Sequence, residues 1–434
     1  MALLCFTGAS LADPADSTRN FLTDTTRATF HLQLTTITQY HGAFYAAYSG
    51  KNSLDPNAEE ATSVTSTIFA GVKLWQGASI YFNPELAGGN GLSSVTGIAG
   101  FPNGETPRIG DPAPTITIAR AYVQQAIGLP SDGTDHIPDD QNNIAQDLPK
   151  NRIMITIGKF ALTDFFDGNS YSHDPRTQFE NWALMDNGAW DYPANTHGYT
   201  LAVAMGITLA DWSLRVSTAS EPTEANGQTL AYNPGEHGET VELEHRHSLG
   251  DQAGIVQLLA FNNTADMGNY DEALSNPKYD TNVVNTRQSG RNKYGFGLNV
   301  EQAISPNIGA FMRVGWNDGR NETWAFTEID RTATLGLSLN GAMWHRNNDV
   351  IGIAGVVNGL SQDHERYLAA GGYGFIIGDG ALNYEPEMIV EAYYLMALTD
   401  AFALTADYQF VANPAYNADR GPVNVFGARA HVGF

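Results

Sequence analysis

Hydrophobic and polar residues alternate along many short stretches of this chain. In residues 199–209, YTLAVAMGITL, every second residue is bulky and apolar: Tyr199, Leu201, Val203, Met205, Ile207 and Leu209. In residues 424–434, NVFGARAHVGF, one face holds Phe426, Ala428, Ala430, Val432 and Phe434, and the other holds Arg429 and His431. A period of two is that of a β-strand, because successive side chains point to opposite faces. The chain is therefore predicted to consist of strands with one apolar face each.

About sixteen such segments follow one another, and the lengths of their connections also alternate. Connections after even-numbered segments are mostly tight, as at 76–77, 210–211, 305–307 and 399–400, whereas those after odd-numbered segments are long. The exception is the connection at 128–151, which is long although it falls on the side of the short turns. The predicted strands lie near residues 29–40, 62–75, 78–86, 115–127, 152–160, 198–209, 212–219, 239–248, 254–263, 292–304, 308–317, 331–344, 349–358, 387–398, 401–411 and 424–434.

The apolar faces could contact either a protein core or lipid, and the alternation alone also fits a soluble sandwich. In hydrocarbon every backbone N–H and C=O group must pair within the protein, so only helices and closed sheets span a membrane. The chain has no apolar run of eighteen residues beyond its first residues. Loop asymmetry, aromatic girdles and the terminal Phe434 favour an outer-membrane barrel. The prediction is an all-β transmembrane barrel of about 16 antiparallel strands, with short periplasmic turns and long extracellular loops.

Composition agrees with this fold and excludes some functions. The chain has 47 Asp and Glu against 23 Lys and Arg, a formal charge of -24, which argues against a nucleic-acid partner because phosphate binding needs a basic surface. Only 16% of residues are charged, and 44 residues are glycine, as in turn-rich β proteins. Cys5 is the only cysteine, so the chain cannot form an intramolecular disulfide.

The first residues resemble a short targeting sequence. A short apolar stretch is followed by Ser10-Leu11-Ala12 and the polar Asp13, which predicts cleavage after Ala12. We expect residues 1–12 to be a truncated signal peptide, 13–28 a periplasmic segment and 29–434 the barrel. The expected surroundings are outer-membrane lipid and lipopolysaccharide, and we expect the barrel-assembly machinery to recognise Phe434.

Several longer stretches resemble the carbohydrate-selective porins of Gram-negative outer membranes, the OprB type. They occur in order over nearly the whole mature chain: QYHGAFYAAYSGKNSL (39–54), YFNPELAGGNGLS (81–93), AGFPNGE (99–105), GKFALTDFFDGNSYSHDPRTQFENWAL (158–184) and YQFVANPAYNADRGPVNVFGARAHVGF (408–434). The resemblance implies a sixteen-stranded porin that passes sugars. The chain departs from the family pattern in its short signal sequence and in the acidic insertion at 131–147.

A sugar-selective channel needs charged groups for hydroxyls and aromatic planes for sugar rings, and a wide barrel must also narrow. The loop after the fifth strand is the best candidate for this constriction. Alternatively, its acidic residues only form turns and Arg176 pairs with a neighbouring carboxylate. The candidate constriction residues are Asp164, Asp167, His173, Asp174, Arg176, Trp182 and Trp190.

Charged and aromatic residues on the polar faces of the strands are predicted to line the lumen. They either contact solute or form ion pairs within the wall, and the sequence favours ion pairs. The candidates are Tyr81, Glu85, Arg120, Tyr122, Glu242, Glu244, Glu301, Arg313, Glu391 and Arg429. His245 and His247 share a strand face but have no third ligand, so neither a metal nor a cofactor is expected.

The predicted function is facilitated diffusion of mono- and small oligosaccharides across the outer membrane. The alternatives are a secreted all-β carbohydrate-active enzyme and a non-transporting adhesion barrel. Asp164 and Asp167 could imitate the carboxylate pair of a glycosidase. However, the chain contains none of the motifs G-x-S-x-G, H-E-x-x-H or G-x-x-x-x-G-K-[ST]. We therefore do not expect an enzyme.

Overall fold

A closed antiparallel barrel makes up most of the computed structural model, which describes residues 27–106, 114–131, 133–326 and 328–434. Within these residues, sixteen strands form the barrel and two short strands, the fifth and sixth in chain order, form a separate hairpin. The fold predicted from the sequence is confirmed. The strands are β1 Ala28–His41, β2 Glu59–Trp75, β3 Ala78–Gly89, β4 Thr115–Gly128, β5 Thr134–Ile137, β6 Gln146–Pro149, β7 Arg152–Phe160, β8 Thr200–Leu209, β9 Trp212–Ser220, β10 His237–Leu249, β11 Gln252–Ala265, β12 Arg291–Ser305, β13 Ile308–Asn317, β14 Arg331–Asn340, β15 Val350–Gly359, β16 Glu387–Ala397, β17 Phe402–Ala412 and β18 Val423–Gly433.

The first and last strands close the barrel. β1 and β18 pair from Gln33 opposite Gly433 to His41 opposite Val425. Beyond that register, the N–H of Phe434 donates to the Leu32 carbonyl at 2.9 Å. Closure leaves no unpaired sheet edge, which is the condition for a sheet in hydrocarbon.

The alternation of the sequence appears directly in the exposure of the side chains. On β8, Leu201 and Met205 face outward and are 37% and 46% exposed, whereas Ala202 and Ala204 are buried. On β13, Arg313 points inward and is fully buried. The apolar outer face therefore meets lipid, and the polar inner face meets the contents of the barrel.

Two strand ends differ from the prediction. Tyr199 was assigned to the outer face, but it precedes β8, is buried, and its hydroxyl donates to Glu85 at 3.1 Å. The twelfth barrel strand stops at Asn340 rather than at 344, because residues 341–344 form a 3₁₀ turn. The Asn340 side chain accepts a hydrogen bond from the N–H of Ala342 and so caps that turn.

The two ends of the barrel differ as the sequence predicts. At the periplasmic end, the connections at 76–77, 210–211, 250–251 and 306–307 have two residues each. Gly77 has a φ of +76°, and a Cβ there would lie 2.2 Å from the Ala126 carbonyl oxygen, so this turn requires glycine. The extracellular connections are long and contain three short helices, α1 Trp182–Met185, α2 Tyr270–Ser275 and α3 Gln362–Ala369.

The long β4–β7 connection, residues 129–151, folds into the periplasmic end of the barrel. It contains the β5–β6 hairpin, and Ile137 and Leu148 of that hairpin pack against Ala126 of β4. The Asp139 carboxylate lies 3.2 Å from His31 Nε2 of β1, and Asp135 pairs with Arg152 at 2.6 Å. The periplasmic mouth is therefore narrowed by this segment.

No helix in the described part of the chain is long and apolar enough to cross a membrane. The predicted signal peptide, residues 1–12, and all but the last two residues of the predicted periplasmic segment, 13–28, lie outside the described residues. That division of the N-terminus stays a prediction.

Candidate functional site

The β7–β8 loop, residues 161–199, folds into the lumen, and residues of the wall hold its backbone. Arg313 donates to the carbonyls of Leu184 and Ser172 at 2.9 and 2.7 Å. Arg429 donates to the carbonyls of Pro175 and Gln178 at 2.7 and 2.8 Å. Irregular backbone needs such partners when it is buried, because its carbonyls have no strand neighbour.

Carboxylates of the wall accept from the N–H groups of the same loop. Glu391 accepts from Glu180 and Asn181 at 2.6 and 3.0 Å. Glu242 accepts from the N–H of Asp167 at 2.7 Å, and Glu301 from that of Ser170 at 2.5 Å. The structure places these wall residues inside the barrel, where they are buried. Their contacts hold the loop and leave little of them for solute.

Two arginines join the loop to the wall through ion pairs. Arg120 Nη2 of β4 lies 2.6 Å from Asp164 Oδ1, and its Nε lies 2.7 Å from Oδ2. Arg176 of the loop pairs with Glu85 of β3 and with Glu105, each at 2.8 Å. These contacts agree with the ion-pair interpretation of Arg120, Glu85 and Arg176.

Charged neighbours shift the pKa values of Asp164 and His173 in the loop. Burial alone would raise the pKa of Asp164, but the adjacent Arg120 outweighs burial and holds that pKa well below its usual range. Burial alone would lower the pKa of His173, but the Asp186 carboxylate, 3.3 Å from its Nδ1, outweighs burial and raises that pKa.

An inner cavity of about 330 Å³ lies between the loop, the wall and the β4–β7 connection. Its boundary on the periplasmic side includes Asp140, Gln141 and Asn142 of that connection. The structure brings seven predicted site residues to this cavity: Glu85, Arg120, Asp164, His173, Asp174, Arg176 and Trp182.

An outer cavity of about 670 Å³ lies among the extracellular loops. Its lining includes Lys51, Arg287 and the partly exposed rings of Tyr373 and Phe375. Thr196 belongs to the lining of both cavities, so the two spaces adjoin at this residue. Both volumes are in the range that suits small ligands.

Several predicted residues do not lie at either cavity. Asp167 is 2% exposed and pairs with Arg313 at 3.0 Å, so its geometry favours a role in holding the loop. Trp190 is 2% exposed and packs against Phe166 and Tyr192. The rings of Tyr81 and Tyr122 stack on each other at 4.7 Å. Glu244 pairs with Arg215 at 2.7 Å.

Trp182 reaches the inner cavity but packs against other aromatic rings. Its indole stacks nearly parallel to the rings of Phe101, at 5.1 Å, and Phe326, at 4.9 Å. The side chain is 6% exposed, so this packing leaves little of the indole for a solute.

Sequence reasoning missed Glu105, Asp186 and Tyr199, which also line the inner cavity. Glu105 lies in the quoted stretch AGFPNGE, but nothing in its spacing indicates a partnership with Arg176 across 71 positions. Asp186 follows α1 directly, within the predicted constriction loop.

His245, a possible metal ligand by sequence, instead stacks on Trp212 at 4.2 Å. No group of three His, Cys, Asp or Glu among the described residues could hold a metal ion.

Comparisons with known proteins agree with the geometry. A model of the family described as "Carbohydrate-selective porin, OprB family" matches residues 68–434. The structure is similar to the high-pH structure of Pseudomonas putida OprB, with a TM-score of 0.69, 15% identity and coverage of 94% of each chain. It is also similar to the outer-membrane channel DcaP of Acinetobacter baumannii, with a TM-score of 0.53, 10% identity and coverage of 94% of this chain and 97% of that one. No curated protein matches the sequence.

Proposed function

Because the chain belongs to the OprB family of carbohydrate-selective porins, we propose that sugars cross its barrel through the outer and inner cavities in succession. The protein is an outer-membrane porin for facilitated diffusion of carbohydrates. Its family and fold indicate a channel rather than an enzyme.

The main support for this route is that Thr196 lines both the outer and the inner cavity. A solute that enters the outer cavity reaches the inner cavity past this side chain, which is only 8% exposed. The inner cavity then leads to the β4–β7 connection at the periplasmic end. On this route the β7–β8 loop is the constriction, and Asp164, His173, Asp174 and Arg176 are the charged groups that a sugar meets there.

Hydroxyl groups suit this lining. Carboxylates accept from sugar hydroxyls, and the guanidinium of Arg176 donates to them, so each hydroxyl can exchange water for a protein partner. Because the arginines are already paired with carboxylates, no single contact holds the sugar strongly. Weak binding at several places is what passage through a channel requires, since a tightly bound solute leaves slowly.

A cysteine at the junction tests the route. In a Cys5→Ser background, Thr196→Cys should make sugar flux into liposomes sensitive to a bulky methanethiosulfonate reagent, because the adduct fills the passage between the cavities. Ser275→Cys is the matched control, since Ser275 is exposed on α2 and lines neither cavity. Equal sugar flux before and after labelling of Thr196→Cys would place the route elsewhere.

The remaining surroundings of the barrel are also part of the proposal. The outward apolar side chains contact outer-membrane lipid, and lipopolysaccharide surrounds the extracellular end. We infer that the barrel-assembly machinery recognises Phe434, whose ring is 68% exposed and whose backbone continues the pairing of β1 with β18.

A further inference from the structure

The inner cavity has an excess of negative charge. Among the described residues that line it, the carboxylates are Glu85, Glu105, Asp140, Asp164, Asp174 and Asp186. The only permanent cations of that lining are Arg120 and Arg176, and its histidines are His173, His197 and His431. Even if all three histidines carried a proton, six carboxylates would face five cations. The lining described here is therefore acidic whatever the state of its histidines.

The two arginines cannot attract an anionic solute, because both are already engaged. Arg120 is bound by both oxygens of Asp164, and Arg176 lies between Glu85 and Glu105. An anion that approached Arg176 would also approach two carboxylates. The ion pairs thus present hydrogen-bonding groups without a net positive charge.

Asp186 is the group whose bonding is least complete. It is 1% exposed, and among the described residues neither carboxylate oxygen has a hydrogen bond of normal geometry. Its ion-pair contact among these residues is the 3.3 Å approach of His173 Nδ1. Buried carboxylates normally have several hydrogen-bond partners, and an incompletely bonded one is costly. The charge of Asp186 is therefore only partly compensated and adds to the negative potential of the lining.

The described lining of the outer cavity has no excess of negative charge. The charged residues of its described lining are Lys51, Arg287, Glu224 and Glu322, two of each sign, and Arg287 pairs with Glu322 at 2.7 Å. Lys51 lies over the ring of Tyr373, 4.0 Å from its centre. A charged sugar would therefore enter the outer cavity with little discrimination and meet an acidic lining only after Thr196.

We propose that the inner cavity selects sugars by charge, admitting neutral hexoses and favouring amino sugars in their ammonium form while excluding uronates and sugar phosphates. This inference rests on the proposed function. The carboxylates of the lining, Asp186 among them, attract the positive charge of the ammonium group. An anionic sugar meets repulsion from the same groups and finds no free cation in the described lining.

Purified protein in planar bilayers tests this selection. Reversal potentials are measured at neutral pH under gradients of glucosammonium chloride and of potassium glucuronate, and glucose flux is measured by liposome swelling. For the wild-type protein, glucosammonium should be more permeant than chloride, and potassium more permeant than glucuronate. Asp186→Asn keeps the shape of the side chain and removes its charge. Because Asp186 raises the pKa of His173, the variant also favours loss of the His173 proton, so the ratio of cation to anion permeability should fall by less than about twofold.

Two further variants complete the experiment. Asp140→Asn removes an exposed charge of the same lining, where folding is not at risk, and should lower the ratio in the same direction. Asp251→Asn makes the same chemical change in the exposed periplasmic turn after β10, and should leave the ratio unchanged. Heat-modifiable migration checks that each barrel is folded.

The outcomes separate the two proposals. If glucose enters liposomes but the wild-type barrel prefers anions or discriminates against neither sign, the charge selection is wrong and the porin function stands. The same conclusion follows if Asp186→Asn and Asp140→Asn both keep the wild-type permeability ratio. If the wild-type barrel passes neither glucose nor salt, the route proposed for sugars fails, and the charge selection fails with it.

Discussion

The buried charged residues of the barrel wall bind the backbone of the β7–β8 loop. Arg313 and Arg429 are fully buried and donate to backbone carbonyls of the β7–β8 loop, while Glu391 accepts from two N–H groups of the same loop. Removing one partner of a buried charged contact typically costs about 3–5 kcal/mol, because the other charge stays buried. These residues therefore stabilise the constriction, and their effect on solutes is indirect.

Because of Glu180, we expect the stability of the β7–β8 loop to depend on pH. Burial and the nearby Asp407 together raise the pKa of Glu180 from 4.5 to about 8, and Arg429 only partly offsets them. The folded loop therefore holds a proton at neutral pH that an unfolded loop releases. The stability that this proton contributes is complete below pH 4.5 and is lost as pH rises from 4.5 through about 8. We expect channel conductance to rise or fluctuate more in alkaline solution, as the loop loosens.

Glu180→Gln carries the neutral form at every pH and should keep conductance constant across that range. Glu385→Gln, at an exposed position before β16, serves as the control. Single-channel recordings from pH 5 to 10 make the comparison, the window being chosen to bracket the raised pKa. An alkaline change that is equally large in Glu180→Gln would show that this carboxyl is not its source.

The sequence could predict which residues point inward but not which partners they find. The period of two placed Arg313, Glu391 and Arg429 in the lumen, as the structure shows. Their partners lie more than a hundred positions away, in a loop without periodicity. The same limit applies to Trp182, whose stacking with Phe101 and Phe326 no local pattern indicates.

At the scale of elements, strands and loops differ in how far the sequence determines them. Each barrel strand has a long alternating pattern, and most have a tight turn at their periplasmic end. By contrast, β5 and β6 have four residues each and lie in a long, polar connection, so the hairpin was not predicted. Its inward position depends on contacts with β1, β4 and β7, which no local pattern specifies.

The last strand carries a prediction about assembly. Phe434→Ala should lower the amount of folded barrel in the outer membrane severalfold, because the proposed recognition element is lost. The thermal unfolding temperature of the barrel that does assemble should change little, since the ring is 68% exposed and its backbone pairing remains.

Phe426→Ala is the control for this assembly experiment, because Phe426 lies on the same strand and is 53% exposed. Heat-modifiable migration of outer-membrane fractions measures the folded amount of both variants. Equal amounts in Phe434→Ala and Phe426→Ala would remove the special role of the terminal residue.

For the whole molecule, the barrel wall and the β7–β8 loop inside it are stabilised by different interactions. The wall is a continuous ladder of hydrogen bonds closed between β1 and β18, and it does not depend on the loop. The loop depends on ion pairs and on wall residues that bind its backbone. Changes in the loop can therefore alter passage while the barrel stays intact.

The most direct test of the account is liposome swelling with a graded series of neutral sugars, comparing the wild-type protein with Arg176→Ala. The wild-type rate should be high for monosaccharides and fall steeply with each added residue. Arg176→Ala breaks the link between the loop and both Glu85 and Glu105, so larger sugars should enter faster and discrimination should weaken. A wild-type barrel that is folded but swells with no sugar would contradict the account, and so would an unchanged size dependence in Arg176→Ala.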